Sequence, residues 1–255
     1  MCAGNLNEIA VIFLHHTTCD ITLNNYNLIK KFNPDCSVFP VGFSWHNLME
    51  NSHAVHRHDS YPNNEQLNKI LFNGKSTSSE SDLCIYDFFL HHQDFKHYFV
   101  IEWDTYCNCS LREYYRDQIN KVDTFSAFIF NNKEDVPNAI RKMNVKEWSW
   151  YNYFQTLKSP EDKQKLLPYL GGTYPTSLLY YSQKTLHDMV DLLLQNPRLY
   201  DNIQNEMRLG TLLQQAGYVL TEFGGDKNQF FEQDNYKSDI AKGIKGYYHP
   251  IKEKL

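Results

Sequence analysis

The feature that most constrains this chain is a set of short, unbroken apolar runs rich in β-branched and aromatic residues. Residues 8–14 read Glu-Ile-Ala-Val-Ile-Phe-Leu, with no polar residue after the first. A strand with one wet face alternates apolar and polar residues, so a continuous run of this kind belongs to a strand covered on both faces. Segment 24–32 then carries apolar residues at helical spacing, Pro34 and Asp35 interrupt it, and 37–43 (Ser-Val-Phe-Pro-Val-Gly-Phe) reads as a second strand. Strand, helix and strand in that order begin a parallel sheet.

The pattern continues through the first half. Residues 45–59 are polar and His-rich, and 75–81 form a Ser-rich loop ending before Asp82, a suitable N-cap for a helix over 83–91. A third strand is expected over 95–101, running directly into Glu102-Trp103-Asp104. Beyond it the spacing predicts a helix over 111–120, a buried strand over 124–130, helices over 182–194 and 200–215, and a strand over 218–223. Residues 224–242 are polar and partly Gly-rich, and are expected to be a loop before the tail 243–252. The expected fold class is α/β, a mixed and mostly parallel central sheet flanked by helices. A chain of 255 residues can bury one large core, and no repeat or linker divides it, so 1–255 is expected to be a single domain.

Composition removes several alternatives. With 42% hydrophobic and 15% aromatic residues the chain holds too much apolar surface to stay disordered. The balance of 25 basic and 30 acidic residues gives a net charge of −5, which supplies no general footprint for nucleic acid or anionic lipid. No stretch approaches the roughly 18 to 20 apolar residues of a membrane span. The run 9–14 is also too short for the core of a signal peptide, and no basic segment precedes it. Cys107 and Cys109 are separated by one residue, where zinc knuckles use about two to four. The six cysteines therefore read as reduced thiols, and the chain as soluble and cytoplasmic.

Glu102 and Asp104 are the strongest local signal. Side chains at i and i+2 share one side of an extended segment, and ligands of open α/β sheets sit beyond the carboxyl ends of the strands. Two hard oxygen donors there suit Mg²⁺ or Mn²⁺, ions that bridge nucleotide phosphates. The plainer reading is a pair of acids opening a solvated loop. His46, His53, His56 and His58 with Asp59 lack the His-Glu-x-x-His arrangement, so no dedicated zinc site is expected among them. Arg57 in the same loop is a candidate diphosphate contact. The aromatic run 148–154 is either a stacking platform for a sugar or core. No Gly-rich phosphate loop and no Gly-x-Ser-x-Gly elbow occurs.

Several segments taken in order carry a resemblance. They are the N-terminal β-α-β, the strand ending in Glu102-Trp103-Asp104, and the segment from Gly171-Gly172-Thr173-Tyr174-Pro175 through Ser182, followed by an amphipathic helix. Asn205-Glu206-Met207-Arg208-Leu209-Gly210 and the tail Gly246-Tyr247-Tyr248-His249-Pro250-Ile251-Lys252 complete the set. Together they resemble the GT-A fold, a Rossmann-like fold of nucleotide-sugar-dependent glycosyltransferases. The resemblance implies a divalent ion, Mn²⁺ or Mg²⁺, held by Asp104 directly and by Glu102 through water or the donor, with His249 completing the set. The plainer role for His249 is a partly buried histidine before a turn-forming proline.

The same resemblance implies further roles. Lys252 would reach the phosphates, and His15, Thr17 and Thr18 would meet the base and ribose. Asp82 would lie near the donor, although helix capping is its simpler task. Glu206 would be the catalytic base of an inverting reaction, with Asp201 as a rival; otherwise it is an exposed helix acid paired with Arg208 or a neighbour. Residues 1–104 would then be a nucleotide-sugar-binding half, and 105–255 an acceptor-binding half with a C-terminal metal-ligand tail. The implied reaction moves a hexosyl or pentosyl group from a nucleoside-diphosphate sugar, a UDP-sugar favoured, to a hydroxyl acceptor on a glycan or protein. Two alternatives stand beside it. A nucleotidyltransferase would need a Gly-rich basic loop near 14–20, where this chain has His15-His16-Thr17-Thr18. The other is a non-catalytic interaction protein on a degenerate glycosyltransferase scaffold.

Overall fold

In a computed structural model that describes residues 8–55, 81–119, 121–126, 128–130, 159–174, 178–200, 203–219, 221–222 and 233–252, the first apolar run becomes β1 (Ile9–Leu14), buried throughout. Helix α1 (Asp20–Phe32) leads to β2 (Ser37–Phe43), and a short β3 (His53–Val55) lies beyond it. Helix α2 (Ser81–His91) precedes β4 (His97–Glu102). Strands β1, β2 and β3 are mutually parallel in that order, and β4 lies parallel on the other side of β1. The chain thus moves one way from β1 and returns on its other side, which puts the topological switch between the carboxyl ends of β1 and β4.

Strand parity builds the core. Ala10, Ile12, Leu14, Tyr98 and Val100 pack into one buried cluster with α2, while Ile9, Val11, Phe13, Phe99 and Ile101 pack into another with Ile29 of α1. Each Ile, Val, Leu or Phe among them contributes about 1.5–3 kcal/mol by leaving water. Both faces are covered, as the unbroken apolar runs require.

The second half completes the same sheet with shorter pieces. They are β5 (Tyr106–Cys107), α3 (Leu111–Tyr114), β6 (Thr124–Ser126), β7 (Phe128–Phe130), α4 (Pro160–Leu166), β8 (Gly172–Tyr174) and β9 (Leu178–Ser182). Then come α5 (Gln183–Gln195), α6 (Pro197–Tyr200), α7 (Asn205–Gln215), β10 (Thr221–Glu222), α8 (Gln233–Ala241) and β11 (Tyr247–Tyr248). The seven-stranded sheet runs β10-β6-β9-β4-β1-β2-β3, with β9 antiparallel to β4 and β6 and the remaining pairs parallel. This is the mixed, mostly parallel sheet that the sequence predicts. Two-stranded ribbons β7–β8 and β5–β11 sit outside it.

The departures have local causes. The expected helix over 111–120 stops at Tyr114, because Tyr115 leaves helical geometry (φ −108°, ψ 20°) while its ring is fully buried. The strand expected over 124–130 divides, β6 staying in the main sheet and β7 pairing with β8 instead. The helix expected over 200–215 breaks before Asn205, where extended Gln204 caps α7 by accepting from the Glu206 amide at 2.8 Å. Val219 is 68% exposed, and among the described residues of the strand expected over 218–223 only Thr221–Glu222 is extended into the sheet. The segment 224–242, expected to be a loop, contains α8, anchored by the buried Tyr236. Strands β3 and β9 were not expected, since three polar-flanked residues and a Tyr-rich segment after Gly171-Gly172 give no clear strand signal.

Among the described residues no helix is long and apolar enough to cross a membrane. Cys19, Cys36, Cys84, Cys107 and Cys109 are free thiols. Arg57, His56, His58, Asp59, the run 148–154 and Asp201 lie outside the described residues.

Candidate active site at the carboxyl end of β4

The parallel register pairs Leu14 with Glu102, so the segments that leave β1 and β4 emerge side by side. Thr105 donates its amide to the Glu102 carbonyl at 3.0 Å, closing a turn around Trp103 and Asp104. From α1, the buried Asn25 donates Nδ2 to the Trp103 carbonyl at 3.1 Å and pins that turn from below.

The tail is delivered by pairing distant in sequence. Strand β11 runs antiparallel to β5, with Tyr247 opposite Cys107 and Tyr248 opposite Tyr106, so the next residue along, His249, falls opposite Thr105. Ile251 donates its amide to the Asp104 carbonyl at 2.7 Å, and Tyr236 donates its hydroxyl to the His249 carbonyl at 2.9 Å. Asn108 adds a clasp, giving Nδ2 to the Ile244 carbonyl and accepting the Gly246 amide. His249 Nε2 consequently stands 3.0 Å from Asp104 Oδ1 and 3.1 Å from Glu102 Oε2.

The donor set fits a hard divalent cation. One ligand atom from each of Glu102, Asp104 and His249 lies within 4.8 Å of the others. Burial pushes the His249 imidazole toward its neutral form, but contact with Asp104 and then Glu102, together with their charge, outweighs burial and raises its pKa to about 9. The ring therefore carries a proton at neutral pH and supplies one positive charge against two carboxylates. A bound divalent ion would take the place of that proton, as metals do at imidazole ligands.

The other predicted residues fall into two groups. His15 turns inward at 4% exposure with Nε2 2.9 Å from Ser52 Oγ, and burial first, with the neighbouring histidines, lowers its pKa to about 4. His16 is the exposed member of the pair, its ring edge-on to Trp103 at 5.2 Å and to His46 at 6.0 Å. Thr18 donates to the Asn47 carbonyl at 2.8 Å, and Thr17 is partly exposed. Lys252 is exposed, directly after the Ile251 that bonds Asp104.

Asp82 and Glu206 belong to the second group. Asp82 is wholly buried and receives Arg208 in a bidentate pair, Nε to Oδ2 at 2.7 Å and Nη2 to Oδ1 at 2.5 Å. The side chain thus ties α2 to α7 rather than simply capping its own helix. Glu206, in the first turn of α7, is only 8% exposed, which excludes the reading as an exposed helix acid. Helix α7 is seated by glycines: a Cβ on Gly210 would stand 2.1 Å from the Gly172 amide nitrogen, and one on Gly171 2.9 Å from the Gly210 carbonyl. The two segments singled out from the sequence, around Gly171 and Gly210, therefore pack backbone against backbone.

His16 and Asn25 were missed as site residues. His16 was visible only as half of a His-His pair, and its exposure depends on where β1 ends; Asn25 looked like any polar residue in an amphipathic helix.

No protein-family model and no curated protein sequence matches this chain. Among solved structures it is similar to the bifunctional glycosyltransferase WbbM, with a TM-score of 0.48 and 10% identity over 96% of this chain and 46% of that one. This chain thus spans a little under half of the WbbM chain. It is also similar to mouse xyloside xylosyltransferase 1, with a TM-score of 0.45 and 11% identity over 95% of this chain and 97% of that one. A third is the galactosyltransferase LgtC in complex with donor and acceptor sugar analogues, with a TM-score of 0.45 and 11% identity over 90% of this chain and 78% of that one.

Proposed function

We propose that this protein is a metal-dependent glycosyltransferase, moving a sugar from a nucleoside-diphosphate sugar, preferentially a UDP-sugar, to a hydroxyl on a glycan or protein. The observation that carries this reading is the convergence of Glu102, Asp104 and His249 beside the switch point between β1 and β4. In this reading Asp104 and His249 bind Mn²⁺ or Mg²⁺, and Glu102 assists through water or the donor. The ion, when bound, neutralises the charge that grows on the departing diphosphate.

The chain's own groups do the rest. Lys252 adds a mobile positive charge beside the Asp104 turn. The exposed His16 and the partly buried Trp103 form an aromatic corner beside the leaving group's expected place, offering a face for the nucleoside, with Thr17 and Thr18 nearby on the same loop. Glu206 is the base that accepts the proton of an acceptor hydroxyl, held by the rigid seat of α7 against Gly171 and Gly172. Asp82, wholly buried in its pair with Arg208, serves the donor side only by fixing α2 against α7. Residues 1–104 then supply most of the nucleotide site and 105–255 the acceptor site, within one domain. In this reading the protein works in a reducing, cytoplasmic setting.

Turnover tests this. The protein with Mn²⁺ and a panel of UDP-hexoses and UDP-pentoses should release UDP with water or a glycan as acceptor. Asp104→Ala should lose that release, and Glu206→Gln should lower kcat while leaving donor binding unchanged. Full Mn²⁺-dependent release by Asp104→Ala, or no release from any donor, would refute the reading.

A further inference from the structure

A second cluster lies away from the β4 turn. His53 of β3, Asp87 of α2 and His91 one turn further along α2 each present a ligand atom within 4.8 Å of the others. Asp87 and His91 are four residues apart and share a helix face, while His53 reaches them from the edge strand of the sheet. We propose that His53, Asp87 and His91 form a zinc site that clips the edge strand β3 to helix α2, with water in the fourth position.

The donor set decides the metal class. Two borderline imidazoles with one carboxylate make a set that suits Zn²⁺, whereas the two hard carboxylates and single imidazole at the β4 turn suit a harder ion. Zinc bonds of about 2.0–2.1 Å in a tetrahedron separate neighbouring ligand atoms by about 3.3 Å. Here Asp87 Oδ2 lies 2.5 Å from His53 Nε2 and 3.8 Å from His91 Nδ1, distances that bracket that value and need only small side-chain rotations. Asp87 is 1% exposed and cannot swing away, whereas His91 is about half exposed and opens the site to an entering ion. Binding costs one contact, because His91 Nδ1 now lies 2.8 Å from the Asp87 carbonyl. His92 is not a ligand in this proposal; its ring stacks on Phe88 at 4.4 Å.

The sequence hid this site. Its helical partners lie outside the His-rich segment 45–59, and only the packing of α2 against β3 brings the acid and the third ligand to His53.

Stoichiometry separates this site from the one at the β4 turn. Untagged protein titrated with Zn²⁺ against a chromophoric chelator should bind two ions, Asp104→Ala one, and His91→Ala one. Zinc should raise the thermal midpoint of Asp104→Ala but not of Asp104→Ala/His91→Ala. His53→Gln should weaken the remaining ion in the Asp104→Ala protein by at least the 10- to 100-fold that outer-shell partners cost. Co²⁺ bound to Asp104→Ala should show the visible absorption of a low-coordinate site, lost in the double variant. Equal zinc affinity with and without His91, or no zinc bound by folded Asp104→Ala at micromolar concentration, would overturn the proposal while leaving the β4-turn site to stand or fall by itself.

Discussion

Carboxylates are balanced in two different ways in this molecule. Asp82 meets a guanidinium that is always charged and fixed in a bidentate fork, so the balance is complete and permanent. Glu102 and Asp104 share one imidazole, which is positive only while it holds a proton. The first arrangement joins α2 to α7 and leaves nothing to exchange. The second holds a proton that a metal ion can replace. Stability is thus concentrated at one pair, and the proposed function places the chemistry at the other.

The largest effect should come from breaking the permanent pair. Arg208→Met leaves Asp82 buried and unpaired, and should cost about 3–5 kcal/mol of folding stability. Urea unfolding measures it, and adding Asp82→Leu should restore most of the loss. A cost below about 1 kcal/mol would show that the pair is not the fixed element described here.

The exchangeable site should respond in the opposite way. His249→Ala takes the cation away from Asp104, but Glu102 stays partly open to water, so it should cost less folding stability than Arg208→Met while weakening Mn²⁺ binding by at least the order of 10- to 100-fold. Calorimetric titration checks this, and Arg208→Met at a temperature where it is still folded should keep the parental affinity. If both variants lose metal equally, the two regions are not separable.

The smallest effect is a pH dependence that belongs to neither region. Burial lowers the His15 pKa from 6.5 to about 4, so the unfolded chain binds more protons than the folded one between those values. The His15 contribution to stability should therefore be full above pH 6.5 and fall as the pH drops toward 4. Replacing His15 by Gln should flatten that slope, as followed by thermal midpoints across the window, while the Arg208–Asp82 pair remains intact.

The acidic pair at the end of β4 was legible because a strand buried on both faces announces its own end, and Glu102 and Asp104 sit at that end. The β1–α1–β2 unit was legible for the same reason. His249 was visible only through the resemblance of the tail, since its place depends on two-residue strands paired across more than a hundred positions, β5 with β11. The second half was harder to read. Strands of two or three residues carry no periodicity, and β9 reads as an aromatic segment until β4 and β6 are placed beside it. The Asp82–Arg208 pair was hidden as well, because each residue had a sufficient local role as cap or helix partner.

The central claim is that Glu102, Asp104 and His249 hold a divalent ion that holds a nucleoside diphosphate. Its most direct test is a thermal-shift titration of UDP with and without Mn²⁺, on the parental protein and on Asp104→Asn. The account predicts stabilisation by UDP only when Mn²⁺ is present, about 2.7 kcal/mol at 100 times the Kd, abolished by EDTA and absent in Asp104→Asn. Equal stabilisation by UDP without metal, or an undiminished Mn²⁺-dependent shift in Asp104→Asn, would contradict it.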